Sequence, residues 1–189
     1  IDDENIRAVM PEIGRTLITY GVSEDADFKV SDFKECGMGS HFVIERRNAG
    51  PLEVDLPIPG LHMAKNAAAA VAVAVEEGIA DDKIVKALRE FRGVGRRFQC
   101  YGDFNIGDRR ITLVDDYGHH PTEVGVTIDA ARMAFPGRKI FMVFQPHRYT
   151  RTRDLYDDFV KVLQKNDKLI LLEVYSAGEE VVAGADSRH

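Results

Sequence analysis

The sequence predicts an α/β protein in two portions, with parallel strands in the second. Three observations carry that prediction. Residues 1 to about 58 read as short extended pieces separated by turns, and an alanine-rich helical pattern follows them. From Phe98 onward the rhythm changes to strand, polar loop, helix, strand. The chain has 189 residues, 44% hydrophobic and 30% charged, enough for one large domain or for two small or incomplete ones.

In the first portion the extended candidates are residues 15–20, 27–30, 40–46 and 52–56. Alternation in Phe42-Val-Ile-Glu-Arg-Arg and Leu52-Glu-Val-Asp-Leu suits strands with one covered face. Pro57-Ile-Pro-Gly60 breaks the chain. A helix over 61–77 follows, with Gly78 as its stop. Its centre, residues 67–75, is apolar all round and is expected to be buried. A second helix is predicted over 82–91, before Gly93-Val-Gly95.

The second portion is predicted to run strand 111–114, helix from Pro121, strand 139–144, helix, strand 169–172. Pro121 suits a first helical position and Glu123 the first turn. Val124, Ile128 and Ala131 form the buried stripe of that helix, and Leu155, Phe159, Val162 and Leu163 that of the next. Such an order implies parallel strands joined by right-handed crossovers. The polar loops after Val114, Phe144 and Leu172 then emerge at the carboxyl edge of the sheet, where α/β proteins bind ligands. No internal repeat or low-complexity linker occurs, so the boundary near residues 93–98 rests on the change of pattern.

Bulk properties narrow the function. A net charge of -6 argues against a general nucleic-acid or membrane-surface binder. No apolar run reaches the roughly 18 residues a membrane span needs. Cys36 and Cys100 have no ligand spacing and read as free thiols of a reducing cytoplasm. Both ends of the chain read as cut, so a fragment of a longer protein is expected.

Four clusters could carry chemistry. Asp115-Asp116-Tyr117-Gly118-His119-His120 places two carboxylates, a phenol and two imidazoles in one loop, where Asp116 or His120 could also simply cap the helix. Zinc fits poorly, because no HxxxH spacing or cysteine partner appears. Gln145-Pro-His-Arg148-Tyr-Thr-Arg151-Thr-Arg153 sets arginines near a helix start, where cations oppose the macrodipole unless an anion is held there. Arg153 can equally be a solvated surface charge. His62 and Asn66 are four residues apart on a helix and could share a flat polar partner, or Asn66 could satisfy nearby backbone. Arg96 and Arg97 follow a glycine pair, either as hinge charges or with one of them directed at phosphate.

Read in order, these clusters resemble the Mur ligase family, and within it the branch that joins L-alanine to UDP-N-acetylmuramic acid. Asp115-Asp-Tyr-Gly-His-His-Pro-Thr-Glu123 and Phe144-Gln-Pro-His-Arg-Tyr-Thr-Arg-Thr-Arg-Asp154 carry the resemblance, and the 173–179 and 184–188 segments agree with it. It implies that residues 1–97 are the later part of a central ATP-binding domain. Residues 98–189 then form a Rossmann-like carboxyl-terminal ligase domain, incomplete at its end. The P-loop and the magnesium ligands of the family would precede Ile1, so the fragment alone is expected to be inactive. Met63 departs from the family, which usually has Asn there.

The implied reaction uses ATP and Mg2+ to convert the muramoyl carboxylate into an acyl phosphate, which the L-alanine amine attacks. Catalysis then rests on positioning and charge neutralisation, with domain closure keeping water out. By resemblance His62 and Asn66 hold the adenine, Arg97 stabilises the γ-phosphate, and Asp116 and Tyr117 close over the nucleotide. His119, Arg148 and Arg151 receive the alanine carboxylate and the acyl phosphate. No nucleic acid or membrane partner is implied, and the location is the cytoplasm. Two alternatives stand beside this reading: the muropeptide-recycling ligase of the same family, and a non-catalytic nucleotide- or anion-binding domain.

Overall fold

The computed structural model describes residues 1–187; Arg188, part of the 184–188 segment quoted above, lies outside them. The protein is mixed α/β and divides into two compact units, Ile1–Gly93 and the remainder from Val94.

The first unit opens with a short helix that the extended reading of residues 1–58 did not include. Helix α1, Glu4–Val9, starts where Asp3 accepts from the amides of Asn5 and Ile6, and a 3-10 turn, Met10–Glu12, follows it. Four strands then form one sheet in the order β1-β2-β3-β4: β1 Tyr20–Gly21, β2 Phe28–Cys36, β3 Gly39–Arg46 and β4 Ala49–Leu56. β1 runs parallel to β2, and the other pairs are antiparallel. The strand expected over 15–20 pairs only from Tyr20, because β1 is an edge with a single neighbour. Pro51 sits in β4, the opposite edge, where a missing amide costs no ladder bond.

Alternation places Phe42, Ile44 and Val54 on the covered face, each 0% exposed. Full burial of such side chains is worth about 1.5–3 kcal/mol apiece. Helix α2, Leu61–Glu76, supplies Ala64, Ala67, Ala68, Val71 and Ala72 to this core, and α3, Asp81–Glu90, supplies Ile84. The expectation that residues 67–75 are buried all round needs correction, since Val73 is 64% exposed. The sheet covers one side of α2, and an apolar helix buries only the stripe that meets a neighbour.

In the second unit β5, Gln99–Ile106, and β6, Arg109–Asp115, form an antiparallel hairpin turning at Gly107, whose φ is 56°. β7, Phe141–Phe144, and β8, Lys168–Leu171, pair in parallel. The strand after residue 110 therefore takes β5 as its hydrogen-bonded partner rather than β7. β5 escaped the sequence reading because Gly102, Asp103 and Asn105 interrupt its apolar alternation. Helix α4, Pro121–Ala134, buries Val124, Ile128 and Ala130 and packs on α6, Tyr156–Leu163. Ala131, expected in the stripe, is only half-buried. A separate turn of helix, α5, Tyr149–Asp154, precedes α6, because Leu155 departs from helical geometry at φ -115° and ψ 23°. Phe144, Phe159 and Val162 complete the second core, with Leu155 and Leu163 packed against it.

Candidate active site

The loops after β6, β7 and β8 meet at one cavity of about 170 Å³ in the second unit. Its walls include Asp116, Tyr117 and His119 from the first loop, Gln145 and His147 from the second, and Leu172 from the third. Arg96 joins them from the segment ahead of β5. The carboxyl edge expected from the strand order is thus where polar side chains gather.

Asp116 organises this edge. Its Oδ2 accepts from the Phe98 amide at 2.8 Å and its Oδ1 from the Gly118 amide at 2.7 Å. It thereby ties the segment before β5 to the loop after β6. A second tie runs from the Tyr117 amide to the Arg96 carbonyl at 2.7 Å. Arg96 and Phe98 hold left-handed φ values of 59° and 46°, which side-chain-bearing residues adopt only when their surroundings fix them. Gly118 leaves room for the Asp116 carboxylate, since a Cβ at that position would lie 2.8 Å from Oδ1.

Glu123 organises the other side of the loop. Its Oε2 accepts from the His119 and His120 amides at 3.0 and 3.2 Å, and His120 Nδ1 accepts from the Thr122 amide, closing a capping box on α4. Burial pushes the Glu123 carboxyl up, but those two amides and the charges of His119 and Arg97 more than offset it and hold it below its ordinary range. Arg97 Nη1 stands 3.8 Å from Glu123 Oε1.

Aromatic rings cluster along this edge. His147 lies 6.3 Å from His119, 5.9 Å from Tyr117 and 5.0 Å from Tyr175 between ring centroids. The Arg96 guanidinium sits 4.7 Å over the Tyr117 ring and pairs with Asp115 at 3.3 Å. Burial first, then the facing charges of His119, Arg151 and Arg96, depress the His147 imidazole below its usual range, so it is neutral near pH 7. Among the described residues, no group of three or more His, Cys, Asp or Glu side chains is placed to hold a metal ion.

The two arginines after β7 take different partners. Arg148 donates from Nε to Glu179 at 2.7 Å, whereas Arg151 turns toward the His147 carbonyl at 3.5 Å. In the first unit His62 and Asn66 stand one turn apart near the start of α2. The entry to that helix is held by Ser40, which donates to the Ile58 carbonyl at 3.1 Å, and by Glu35, which accepts from the Gly60 amide at 2.9 Å. Asn66 is exposed and His62 half-buried.

Asp116, Tyr117 and His119 therefore line a common cavity, whereas Arg97, paired with Glu123, and Arg148 and Arg151 are not among its lining residues. Three participants had no assigned role of their own in the sequence reading. Arg96 shared with Arg97 the possibility of facing phosphate, His147 was quoted within its cluster without a task, and Glu179 belongs to a segment cited only for agreement.

Residues 96–188 match the Mur ligase glutamate ligase domain, and residues 1–74 match the Mur ligase middle domain. The chain is similar in structure to the UDP-N-acetylmuramate-alanine ligase MurC of Thermotoga maritima. The TM-score is 0.70 at 31% identity, over 85% of this chain and 35% of that one. MurF of Acinetobacter baumannii shares the fold with a TM-score of 0.59 at 21% identity, over 89% of this chain and 39% of that one. The folylpolyglutamate synthetase of Lactobacillus casei shares it with a TM-score of 0.58 at 18% identity, over 88% and 38% respectively. The chain thus spans between 35% and 39% of the length of these three structures. With both domain signatures present in order and the loop motifs gathered at one cavity, this chain belongs to the Mur ligase family.

Proposed function

We propose that the chain is part of an ATP-dependent ligase that joins L-alanine to UDP-N-acetylmuramic acid, in the cytoplasm, during peptidoglycan precursor synthesis. The observation that carries this reading is the meeting of residues 115–119 with Gln145 and His147, from the two motif-bearing loops, at one cavity. The 31% identity to a UDP-N-acetylmuramate-alanine ligase supports the acceptor, against 21% and 18% for MurF and the folate enzyme.

The chemistry is stepwise. A muramoyl carboxylate oxygen attacks the γ-phosphorus of ATP and ADP leaves, giving an acyl phosphate. The neutral alanine amine then attacks the acyl carbon, and phosphate leaves with the C–O electron pair. An ammonium cannot attack, so a group must take its proton. His147, which lines the cavity between the two motif loops, is the candidate to accept it. Arg97, with Arg96 beside it, supplies a cation for the γ-phosphate, and His119, Arg148 and Arg151 receive the alanine carboxylate and the acyl phosphate. His119 is oriented by its Nδ1 contact with the Tyr117 carbonyl at 3.0 Å and faces the same cavity. Asp116 and Tyr117 shape the loop that covers the nucleotide, and His62 and Asn66 take the adenine base. The family implies Mg2+ for the phosphoryl step. The described residues offer no ligand set for it, so no step above runs through the ion.

The test is ADP release by a ligase containing this chain, given ATP, UDP-N-acetylmuramic acid and one acceptor at a time. L-alanine is expected to support turnover, and glycine, D-glutamate and a muropeptide tripeptide are expected to support far less. Preference for the tripeptide would replace this reading with the recycling ligase. Nucleotide binding without turnover on any acceptor would leave only a binding domain.

A further inference from the structure

The loop after β8 is strapped along the loop after β7. Gln145 donates its side-chain amide to the Glu173 carbonyl at 3.2 Å, the Tyr175 amide donates to the Pro146 carbonyl at 2.8 Å, and the Arg148 amide donates to the Tyr175 carbonyl at 2.8 Å. At the end of the strap the Glu179 carboxylate receives three bonds from a single turn. Oε1 accepts from Arg148 Nε and from Thr150 Oγ1, both at 2.7 Å, and Oε2 accepts from the Thr150 amide at 3.0 Å. The Glu179 side chain is 16% exposed, whereas Arg148 is 51% exposed. A surface ion pair with one contact and two mobile side chains would impose little. Here the carboxylate is fixed by a backbone amide and a hydroxyl, so it constrains the arginine.

Two further facts concern Arg148 itself. Its φ is 73°, a left-handed conformation that L side chains rarely adopt, and its carbonyl is held by the Thr152 amide at 3.1 Å and the Thr152 hydroxyl at 2.9 Å. A guanidinium has five N–H donors, and Glu179 takes only the one on Nε. Among the described residues the Nη atoms have no hydrogen-bonded partner, which leaves a forked edge for a second, planar anion.

We propose that Glu179 is a positioning residue, holding Arg148 by Nε so that its Nη edge receives the carboxylate of the acceptor amino acid. The inference rests on the ligase reading above and adds to it that acceptor recognition extends to the strap of residues 173–179. Glu179 itself touches no substrate. Without it the Arg148 side chain keeps its charge but loses its direction.

Two measurements test this. In the 189-residue chain, the Arg148 Nε–H resonance, assigned by its loss in Arg148→Lys, should exchange slowly with water and become fast in Glu179→Ala. Fast exchange in the parent chain would overturn the contact whatever the protein catalyses. In the ligase containing the chain, Glu179→Ala should raise the KM for the acceptor amino acid roughly tenfold or more, the loss expected for one charge-assisted bond. The KM for ATP should stay within about twofold, since the strap meets no nucleotide group on this reading. Glu179→Gln, which keeps an acceptor oxygen for the Thr150 amide, should fall between the two. The double variant Glu179→Ala/Arg148→Ala should be no worse than Arg148→Ala alone. Additive losses, or equal rises in both KM values, would overturn the positioning role. If the parent enzyme prefers another amino acid, the alanine assignment fails, and the same cycle on that amino acid still decides the role of Glu179.

Discussion

Replacing Asp116 by alanine should destabilise the second unit even with no ligand present. The side chain accepts two backbone hydrogen bonds, from Phe98 at 2.8 Å and from Gly118 at 2.7 Å, both partly buried. Bonds to a charged acceptor contribute about 1.5–3 kcal/mol each when shielded, and water reaching this loop argues for the lower end. The loss for Asp116→Ala is therefore about 3 kcal/mol, and for Asp116→Asn, which keeps one acceptor oxygen, about half. For a unit of this size that is on the order of 10–20 °C in the midpoint of its melting transition. The assay is calorimetry of the 189-residue chain, paired with amide hydrogen exchange read at Phe98 and Gly118. Exchange at both amides should accelerate in the alanine variant while the first unit is unaffected. A change below about 0.5 kcal/mol, with both amides still protected, would refute the reasoning and return Asp116 to a purely nucleotide-facing role.

Ile128→Ala, at a position 3% exposed, should cost the second unit about 2–5 kcal/mol in urea unfolding, and Phe42→Ala should cost the first about 3–5 kcal/mol; a loss shared equally by both units in either variant would contradict the two-core description. The Glu179 carboxyl is held down to about 2, chiefly by the Thr150 hydroxyl and amide and then by Arg148. A carboxyl depressed in the folded state contributes stability above its unfolded pKa of about 4.3 and loses it as pH falls toward the folded value. Its carbon chemical shift should accordingly titrate near 2, and a midpoint above 4 would show the contact to be absent in solution. In the ligase containing this chain, Arg151→Ala should raise the KM for L-alanine about ten- to hundredfold, whereas Asn66→Ala should weaken ATP by a comparable factor; the reverse pattern, or unchanged constants, would remove those assignments.

Long-range architecture was legible where side-chain period and burial coincide. Phe42 and Ile44 alternate with half-buried or exposed neighbours, so β3 could be read directly, and the polar loops after residues 114, 144 and 172 do reach one cavity. The helix α1 was illegible because six residues give too little periodicity, although Asp3 followed by Glu4 is a start signal. β5 was lost for the opposite reason, since its pairing with β6 is set by the turn at Gly107 and not by its own composition. Within the site, the residues singled out from sequence lie on loops that the fold brings to one cavity, but sequence could not divide labour among them. Whether Arg96 or Arg97 meets the cavity depends on a left-handed residue that no propensity specifies. The separate partners of Arg148 and Arg151 depend on Glu179, more than two dozen residues further on.

That left-handed residue bears on how the protein would respond to engineering for heat resistance. At Arg96, glycine would relieve a backbone cost of about 1–2 kcal/mol. It would forfeit a cation–π contact worth about 0.5–1 kcal/mol and an exposed ion pair worth about 0–1 kcal/mol. The terms nearly cancel, so a library sorted on melting temperature would pass Arg96→Gly as silent while stripping a guanidinium from the cavity wall. Selection on thermal tolerance alone is blind at this position, and only a sort on ligand occupancy would hold the arginine in place.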